Sequence, residues 1–174
     1  VAATGLSAGT IGTYAAQGQE WDFYDIDPNI VRIASDPRYF TFLSDCTKAS
    51  YRVILGDARL RLREAPTGKY GLLIMDAFSS DSVPAHLLTT EAMNLYLDKL
   101  STDGLLAFHI SNRYLNLEPL LSGLSRRAVL VAGRALAAGL GGRRTERQRR
   151  AALPLRRQRR GRLAGRQLQE VELA

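Results

Sequence analysis

The chain has 174 residues, of which 45% are hydrophobic and 24% are charged. This length suits one domain with a sizeable core, and the composition excludes wholesale disorder. A single cysteine, Cys46, excludes an internal disulfide framework, so we expect a reducing, cytoplasmic location. No basic segment followed by an apolar stretch opens the chain, and no run of roughly 18 apolar residues occurs, so neither a signal peptide nor a membrane span is predicted.

The formal charge of +7 is unevenly distributed along the chain. Residues 1–125 hold 10 Lys+Arg and 14 Asp+Glu (10 − 14 = −4), whereas residues 126–174 hold 14 and 3 (14 − 3 = +11). The arginine runs at 143–150 and 156–162 fit three interpretations: a nucleic-acid or anionic-membrane contact, a solvated helical or disordered extension, or an out-of-frame reading of GC-rich DNA. No aromatic residue is present there to stack on a base, which argues against nucleic acid.

Residues 1–120 alternate short apolar runs with helical segments, a pattern typical of a parallel α/β sheet whose strands are buried on both faces. The predicted strands are 1–6, 21–24, 52–55, 72–75 and 105–110. Short helices are predicted at 10–16, from Pro28 onward, and at 90–100 behind a threonine cap. We therefore predict an α/β domain over residues 1–120, an open parallel sheet with helices on both faces, and a basic tail over 121–174.

Aspartates follow three of these strands: Asp25, Asp57 and Asp76. A glycine-rich turn at residues 5–9 follows the first strand. Because the carboxyl ends of parallel strands share one crevice, we expect these groups to lie together. A crevice lined by acids favours a cationic ligand.

Five segments in order carry a family resemblance: GLSAGT at 5–10, FYDIDP at 23–28, LGDAR at 55–59, IMDAFSSD at 74–81 and LSTDGLLAFHISN at 100–112. They resemble the successive motifs of the S-adenosylmethionine-dependent methyltransferase fold and, in detail, those of the spermidine synthase family. The resemblance implies a Rossmann-like sheet of strand order 3-2-1-4-5. It covers nearly all of residues 1–120 and none of 126–174.

Several cofactor-binding residues are implied by the resemblance. Gly5, Ser7 and Gly9 match the loop that approaches the methionine-derived part of the cofactor. Asp25 matches the acid that accepts hydrogen bonds from the ribose hydroxyls, and Asp57 matches the acid beside the adenine amino group. Ser7 stands where the family has its central glycine.

The resemblance also implies a reaction, the transfer of an aminopropyl group from decarboxylated S-adenosylmethionine to a diamine, with no metal. Asp76 matches the residue that helps to take a proton from the attacking amine, which must be neutral to act as a nucleophile. Asp81 is the candidate for binding the polyamine substrate, although it follows Asp76 by five residues where the family has three. A homodimer is one option for the assembly.

Relative to the family, two regions are expected to be absent. The β-rich N-terminal domain has no counterpart because the chain starts inside the first strand. The last two strands of the fold are expected to be missing because the arginine-rich tail lacks obvious strand patterns. The chain therefore resembles a piece of an enzyme.

Several alternatives stay open from the sequence. One is a methyltransferase that uses S-adenosylmethionine itself in the same cleft, and another is an inactive, truncated cofactor-binding module. The G-x-S-x-G pattern at 5–9, with Ser7, Asp76 and His109 in hydrolase order, allows a serine hydrolase. Asp25 lies 20 positions after Gly5, a spacing that allows a nicotinamide-binding domain, but the glycine spacing favours the S-adenosyl class.

Four side chains have structural interpretations beside the functional ones. Asp27, directly before Pro28, suits a helix N-cap as well as a second cofactor contact. Asp57 suits a turn or cap. His86 and His109 show no metal spacing, so we expect a surface residue and a hydrogen-bonded strand residue, respectively.

Overall fold

The computed structural model describes residues 1–77, 83–110, 116–127, 130–132 and 152–157. Five parallel strands form the predicted sheet: β1 (Ala2–Thr4), β2 (Glu20–Asp25), β3 (Ser50–Leu55), β4 (Tyr70–Met75) and β5 (Leu100–His109). Their order is β3-β2-β1-β4-β5, as the resemblance implied. The predicted fold class, a Rossmann-like α/β sheet, is confirmed.

Within the described residues, four α-helices connect or follow the strands: α1 (Pro28–Ala34), α2 (Ala58–Glu64), α3 (Thr90–Lys99) and α4 (Glu118–Arg127). Short 3-10 helices span Thr10–Tyr14 and Ala85–Leu88, and a π-helical turn spans Phe42–Cys46. Helix starts follow from local chemistry. Asp27, Asp57 and Thr89 each accept a hydrogen bond from a backbone N–H in the first turn of α1, α2 and α3.

Alternate residues of the strands feed two cores on opposite faces of the sheet. On one face, Ala2 and Tyr24 pack in a cluster with apolar residues of α2, α3 and α4. On the other face, Ala3 and Phe23 pack in a cluster with Ala34 of α1 and residues of the short helical turns. Helices therefore cover both faces, and the ends of the strands stay accessible for a site.

The expectation that the last two strands are missing is wrong. Two further strands, β6 (Leu130–Ala132) and β7 (Ala152–Arg157), extend the sheet to the order β3-β2-β1-β4-β5-β7-β6. β7 pairs antiparallel with β5, and β6 pairs antiparallel with β7. The hydrogen bonds of a sheet are made by backbone groups, so a short stretch amid arginines can complete the open edge of β5. The arginine run at 143–150 lies outside the described residues, and the division of the chain at residue 120 stays a prediction.

Candidate functional site

The carboxyl ends of the central strands meet at one rim of the sheet. In the parallel register Thr4 stands opposite both Tyr24 and Met75, so the segments after β1, β2 and β4 leave the sheet side by side. Asp25 ends β2 opposite Leu55 of β3, which Asp57 follows by two residues. The predicted gathering of the aspartates at one edge is thus present in the strand register.

Gly5 is packed directly against the backbone of Asp76. Its N–H donates to the carbonyl oxygen of Tyr24 at 2.8 Å, and its φ is +86°. A Cβ at this position would lie 2.4 Å from the carbonyl oxygen of Asp76, which is closer than any side chain tolerates. Only glycine fits here, because it alone combines the left-handed conformation with the missing Cβ. The turn after β1 is therefore held against the end of β4.

Ser7 and Gly9 shape the same turn without lining the pocket described below. Ser7 is exposed and has a φ of +51°, an uncommon conformation for a residue other than glycine. A Cβ on Gly9 would lie 2.8 Å from Cγ of Leu43, so this glycine lets the turn approach the core. Their assignment to cofactor binding stays a prediction.

The carboxylate of Asp25 is fixed by two backbone donors. Leu6 N–H donates to Oδ2 at 2.8 Å, and Asp27 N–H donates to Oδ1 at 2.9 Å. Each carboxylate oxygen has about two acceptor positions, so each retains capacity for one further donor. A pair of neighbouring hydroxyls is a suitable partner for such a half-satisfied carboxylate.

Asp57 has two roles at once. Its Oδ1 accepts from Leu60 N–H at 2.9 Å and caps α2, as the structural interpretation predicted. Its Oδ2 lies 3.1 Å from Nε2 of His86, whose own carbonyl oxygen accepts from Arg59 Nη1 at 2.8 Å. The sequence did not indicate the pairing of Asp57 with His86, because the two residues lie 29 positions apart and no motif contains both of them.

A pocket of about 330 Å³ opens at this rim. Its lining combines two carboxylates and one imidazole with apolar walls, and consists of Gly5, Tyr24, Asp25, Ile26, Asp57, Ala58, Ala77, Pro84, His86 and Leu87. The volume lies at the lower end of the range for small-molecule sites. Such sites typically have apolar walls with a small number of polar groups, as this pocket does. Three predicted cofactor residues, Gly5, Asp25 and Asp57, thus share one cavity.

Asp76 is joined to His109, the last residue of β5. Nδ1 of His109 and Oδ1 of Asp76 form a hydrogen bond, and the two side chains are 39% and 36% exposed. The expectation of a hydrogen-bonded strand histidine is therefore confirmed. Asp76 does not line the pocket, but the next residue, Ala77, does.

The described residues do not form the other sites that the sequence suggested. No hydrogen bond joins Ser7 to His109 in the described part of the chain, so a serine–histidine–aspartate triad is not formed there. Asp81 lies outside the described residues. Among the residues that are described, no group of three or more His, Cys, Asp or Glu side chains is placed to hold a metal ion, and no helix is long and apolar enough to cross a membrane.

Sequence comparison gives one informative relative. No family model matches the chain. A polyamine aminopropyltransferase of Vibrio vulnificus (strain CMCP6) is 33% identical over 107 residues, which represent 59% of this chain and 34% of that protein. The predicted resemblance to the spermidine synthase family is confirmed. The chain spans about a third of the length of this curated relative.

Solved structures with a similar fold include both a methyltransferase-like protein and a probable spermidine synthase. Human methyltransferase-like protein 13, solved in complex with SAH, matches with a TM-score of 0.64 and 16% identity over 94% of this chain and 73% of that one. A probable spermidine synthase from Corynebacterium glutamicum ATCC 13032 matches with a TM-score of 0.60 and 18% identity, over 90% and 55% of the two chains. At these identities the matches establish the fold of this chain and nothing finer.

Proposed function

We propose that this spermidine synthase-like chain binds decarboxylated S-adenosylmethionine and transfers its aminopropyl group to a diamine. The observation that carries the proposal is the shared pocket of Gly5, Asp25 and Asp57 at the rim of the sheet. The relative at 33% identity, a polyamine aminopropyltransferase, supports this choice among the activities that the fold allows.

The pocket fits the nucleoside part of such a donor. Asp25 is held by Leu6 and Asp27 and retains acceptor capacity for the two ribose hydroxyls. The apolar walls, which include Ile26 and Leu87, suit a purine ring, and Asp57 stands at the same cavity for its amino group. Gly5 lets the turn after β1 pack against Asp76 at the edge of this pocket, because any side chain there would meet the Asp76 backbone.

The donor would supply a positively charged sulfonium with a good leaving group. The residues of the chain then have three tasks: to hold the nucleoside, to place the acceptor amine beside it, and to remove a proton from that amine. Bringing two substrates together in a fixed geometry is a large part of the rate enhancement in such transfers. Asp76, beside Gly5 at the rim, is the candidate for the proton step, and Asp81 is the candidate for holding the polyamine. A cytoplasmic location and a homodimer stay predictions.

The products of the reaction test the proposal. The protein is incubated with a diamine and either decarboxylated S-adenosylmethionine or S-adenosylmethionine, and the nucleoside product is identified by chromatography. Methylthioadenosine from the decarboxylated donor is the expected result. S-adenosylhomocysteine would instead indicate the methyltransferase that shares this fold. Calorimetry with methylthioadenosine and NAD provides the binding control, and binding of NAD alone would contradict the proposal.

A further inference from the structure

Asp57 and His86 meet at the wall of the pocket from two distant segments of the chain. Nε2 of His86 lies 3.1 Å from Oδ2 of Asp57, and both residues line the pocket. We infer that His86 is a positioning residue, which fixes the Asp57 carboxylate so that the pocket selects a purine with an amino group at C6 over a purine with an oxo group there. The inference rests on the proposed function and refines the role of Asp57 within it.

The backbone that carries His86 is held by two helices. Arg59 of α2 donates from Nη1 to the carbonyl oxygen of His86 at 2.8 Å. The next residue, Leu87, is buried, and its carbonyl oxygen accepts from the hydroxyl of Tyr96 in α3 at 3.1 Å. These two contacts anchor the short helix Ala85–Leu88. The imidazole therefore meets Asp57 from a fixed backbone.

Hydrogen bonds fix both oxygens of the Asp57 carboxylate. Leu60 N–H donates to Oδ1 at 2.9 Å and keeps that oxygen at the first turn of α2. A carboxylate only accepts hydrogen bonds, so the donor to Oδ2 is Nε2–H of His86. The last torsion of an aspartate side chain is broad, so a carboxylate that is held at one oxygen still turns about that bond. A second donor at Oδ2 sets the plane of the group.

The orientation of this carboxylate decides which purine it binds. Each oxygen has about two acceptor positions, and one on each is used within the chain, so Oδ2 can accept from the amino group of a 6-aminopurine. A 6-oxopurine presents an acceptor at that place and carries its nearest donor, N1–H, one ring position away. A carboxylate that is free to turn follows N1–H, whereas a fixed one faces the oxo group with no proton between them. Selectivity is a difference between two affinities, and fixing Asp57 changes both.

Two substitutions of His86 separate its N–H donor from its ring. Calorimetry gives the dissociation constants of methylthioadenosine and methylthioinosine, which differ in the amino and oxo groups at C6. We expect the parent to prefer methylthioadenosine by about 10- to 150-fold, the scale of one hydrogen bond to a charged group. In His86→Phe, which keeps a ring without the donor, this ratio should fall by about 5- to 10-fold. In His86→Gln, which keeps an N–H donor, the ratio should stay within about threefold of the parent value.

The ratio of two affinities in one variant is insensitive to a loss of folded protein, because that loss weakens both ligands equally. A ratio in His86→Phe within about threefold of the parent value overturns the inference, and the ring is then only a wall of the pocket. A ratio that falls equally in His86→Phe and His86→Gln overturns it too, because the N–H donor is then not what matters.

A double-mutant cycle tests whether His86 acts through Asp57. Asp57→Asn keeps an oxygen that can cap α2 and removes the carboxylate. In this background His86→Phe should change the ratio by less than about twofold, because no carboxylate remains to be positioned. A fall as large as in the parent background overturns the inference.

The parent protein separates this inference from the proposed function. A parent that binds neither nucleoside overturns both. A parent that binds the two nucleosides equally overturns the inference, and the product assay then judges the transfer reaction by itself. A parent that prefers methylthioadenosine, with an equally selective His86→Phe variant, overturns this inference alone.

Discussion

Two aspartates of the same strand, Asp22 and Asp25, lie three residues apart on β2 and have opposite surroundings. The side chain of Asp22 is 6% exposed and is bound by two cationic side chains, Arg52 and Lys69. Asp25 is half-buried at the rim, and its hydrogen bonds within the chain come from the backbone N–H groups of Leu6 and Asp27. One carboxylate is satisfied by the protein, and the other retains acceptor capacity for a ligand.

The surroundings of Asp22 form a connected network beneath the rim. Nε and Nη2 of Arg52 donate to its two oxygens at 2.9 and 3.0 Å, Lys69 Nζ donates at 2.5 Å, and the hydroxyl of Tyr70 donates at 2.8 Å. The Tyr24 hydroxyl lies 2.6 Å from that of Tyr70. Burial raises the pKa of Tyr70, and its hydrogen bonds with Tyr24 and Asp22 raise it further, so this phenol stays a proton donor.

The difference between the two aspartates suggests separate roles on one strand: Asp22 stabilises the fold, and Asp25 is available to bind a ligand. A buried carboxylate requires several donors to offset its desolvation, and Asp22 has four from three side chains. Tyr24 touches this network through its hydroxyl and also lines the pocket, whereas Asp22, Arg52, Lys69 and Tyr70 do not line it. The four predictions below test whether the rim and the Asp22 network can be disturbed separately.

Gly5→Ala should disturb the rim most strongly. The new Cβ would lie 2.4 Å from the carbonyl oxygen of Asp76, at a φ of +86°. Left-handed strain and the enforced displacement together predict a loss of about 2–5 kcal/mol in the free energy of unfolding, measured by urea denaturation. Gly18→Ala is the matched control, because Gly18 has a φ of +84° and nothing lies within 4 Å of its Cβ position. Equal losses in the two variants would show that the close approach to Asp76 does not matter.

Asp22→Asn should disturb the buried network and spare the rim. Removing one member of a buried ion pair costs about 3–5 kcal/mol, but the Arg52 side chain is 66% exposed and Lys69 is 27% exposed, so we expect a loss of about 2–3 kcal/mol in the free energy of unfolding. Below the unfolding transition, the dissociation constant of methylthioadenosine should be unchanged.

The control for Asp22→Asn is an exposed ion pair. Glu64 pairs with Arg61 across one helical turn, with side chains 65% and 45% exposed. Glu64→Gln should change the free energy of unfolding by no more than about 0.5 kcal/mol. If Asp22→Asn costs no more than this control, the network does not stabilise the fold.

Much of the rim could be predicted from the sequence because its determinants are local. An apolar run that ends at Asp76, a proline directly after Asp27 and a glycine-rich turn at residues 5–9 each indicate the end of one element and the start of another. Since parallel strands share a carboxyl edge, these local signals also place the residues together. The order of the strands came from the family resemblance and was confirmed.

The contacts that the sequence did not reveal are those between distant segments. Asp22 and Lys69 are 47 positions apart, and Asp57 and His86 are 29 apart. No periodicity or motif links such pairs, because each side chain alone has an ordinary surface or turn role. The strands β6 and β7 were missed for a related reason, since a short strand depends on the backbone edge that it meets more than on its own composition.

Asp25→Ala should affect ligand binding, whereas Asp22→Asn should affect the free energy of unfolding. Loss of the carboxylate should weaken methylthioadenosine binding by about 1.5–3 kcal/mol, the scale of hydrogen bonds to a charged group, measured by titration calorimetry. Asp27→Ala is the matched control, because Asp27 caps α1 through Asn29 N–H at 2.8 Å and does not line the pocket. It should lose about 0.5–2 kcal/mol of stability and keep its affinity. An unchanged dissociation constant in Asp25→Ala would contradict the ribose assignment.

Acid should remove the contribution of Asp22 gradually. Burial by itself raises the pKa of Asp22, but the hydrogen bonds from Lys69, Tyr70 and Arg52 outweigh it and hold the pKa below its ordinary value of 3.8. The folded state therefore binds the proton less readily than the unfolded state, and stability falls as the pH drops from about 4 through the folded pKa. The difference in unfolding free energy between the parent and Asp22→Asn should be constant between about pH 5 and pH 7 and should shrink below about pH 4. Urea titrations of both proteins across this range measure it, and a difference that persists undiminished at pH 2 would mean that the charge of Asp22 is not what stabilises the network.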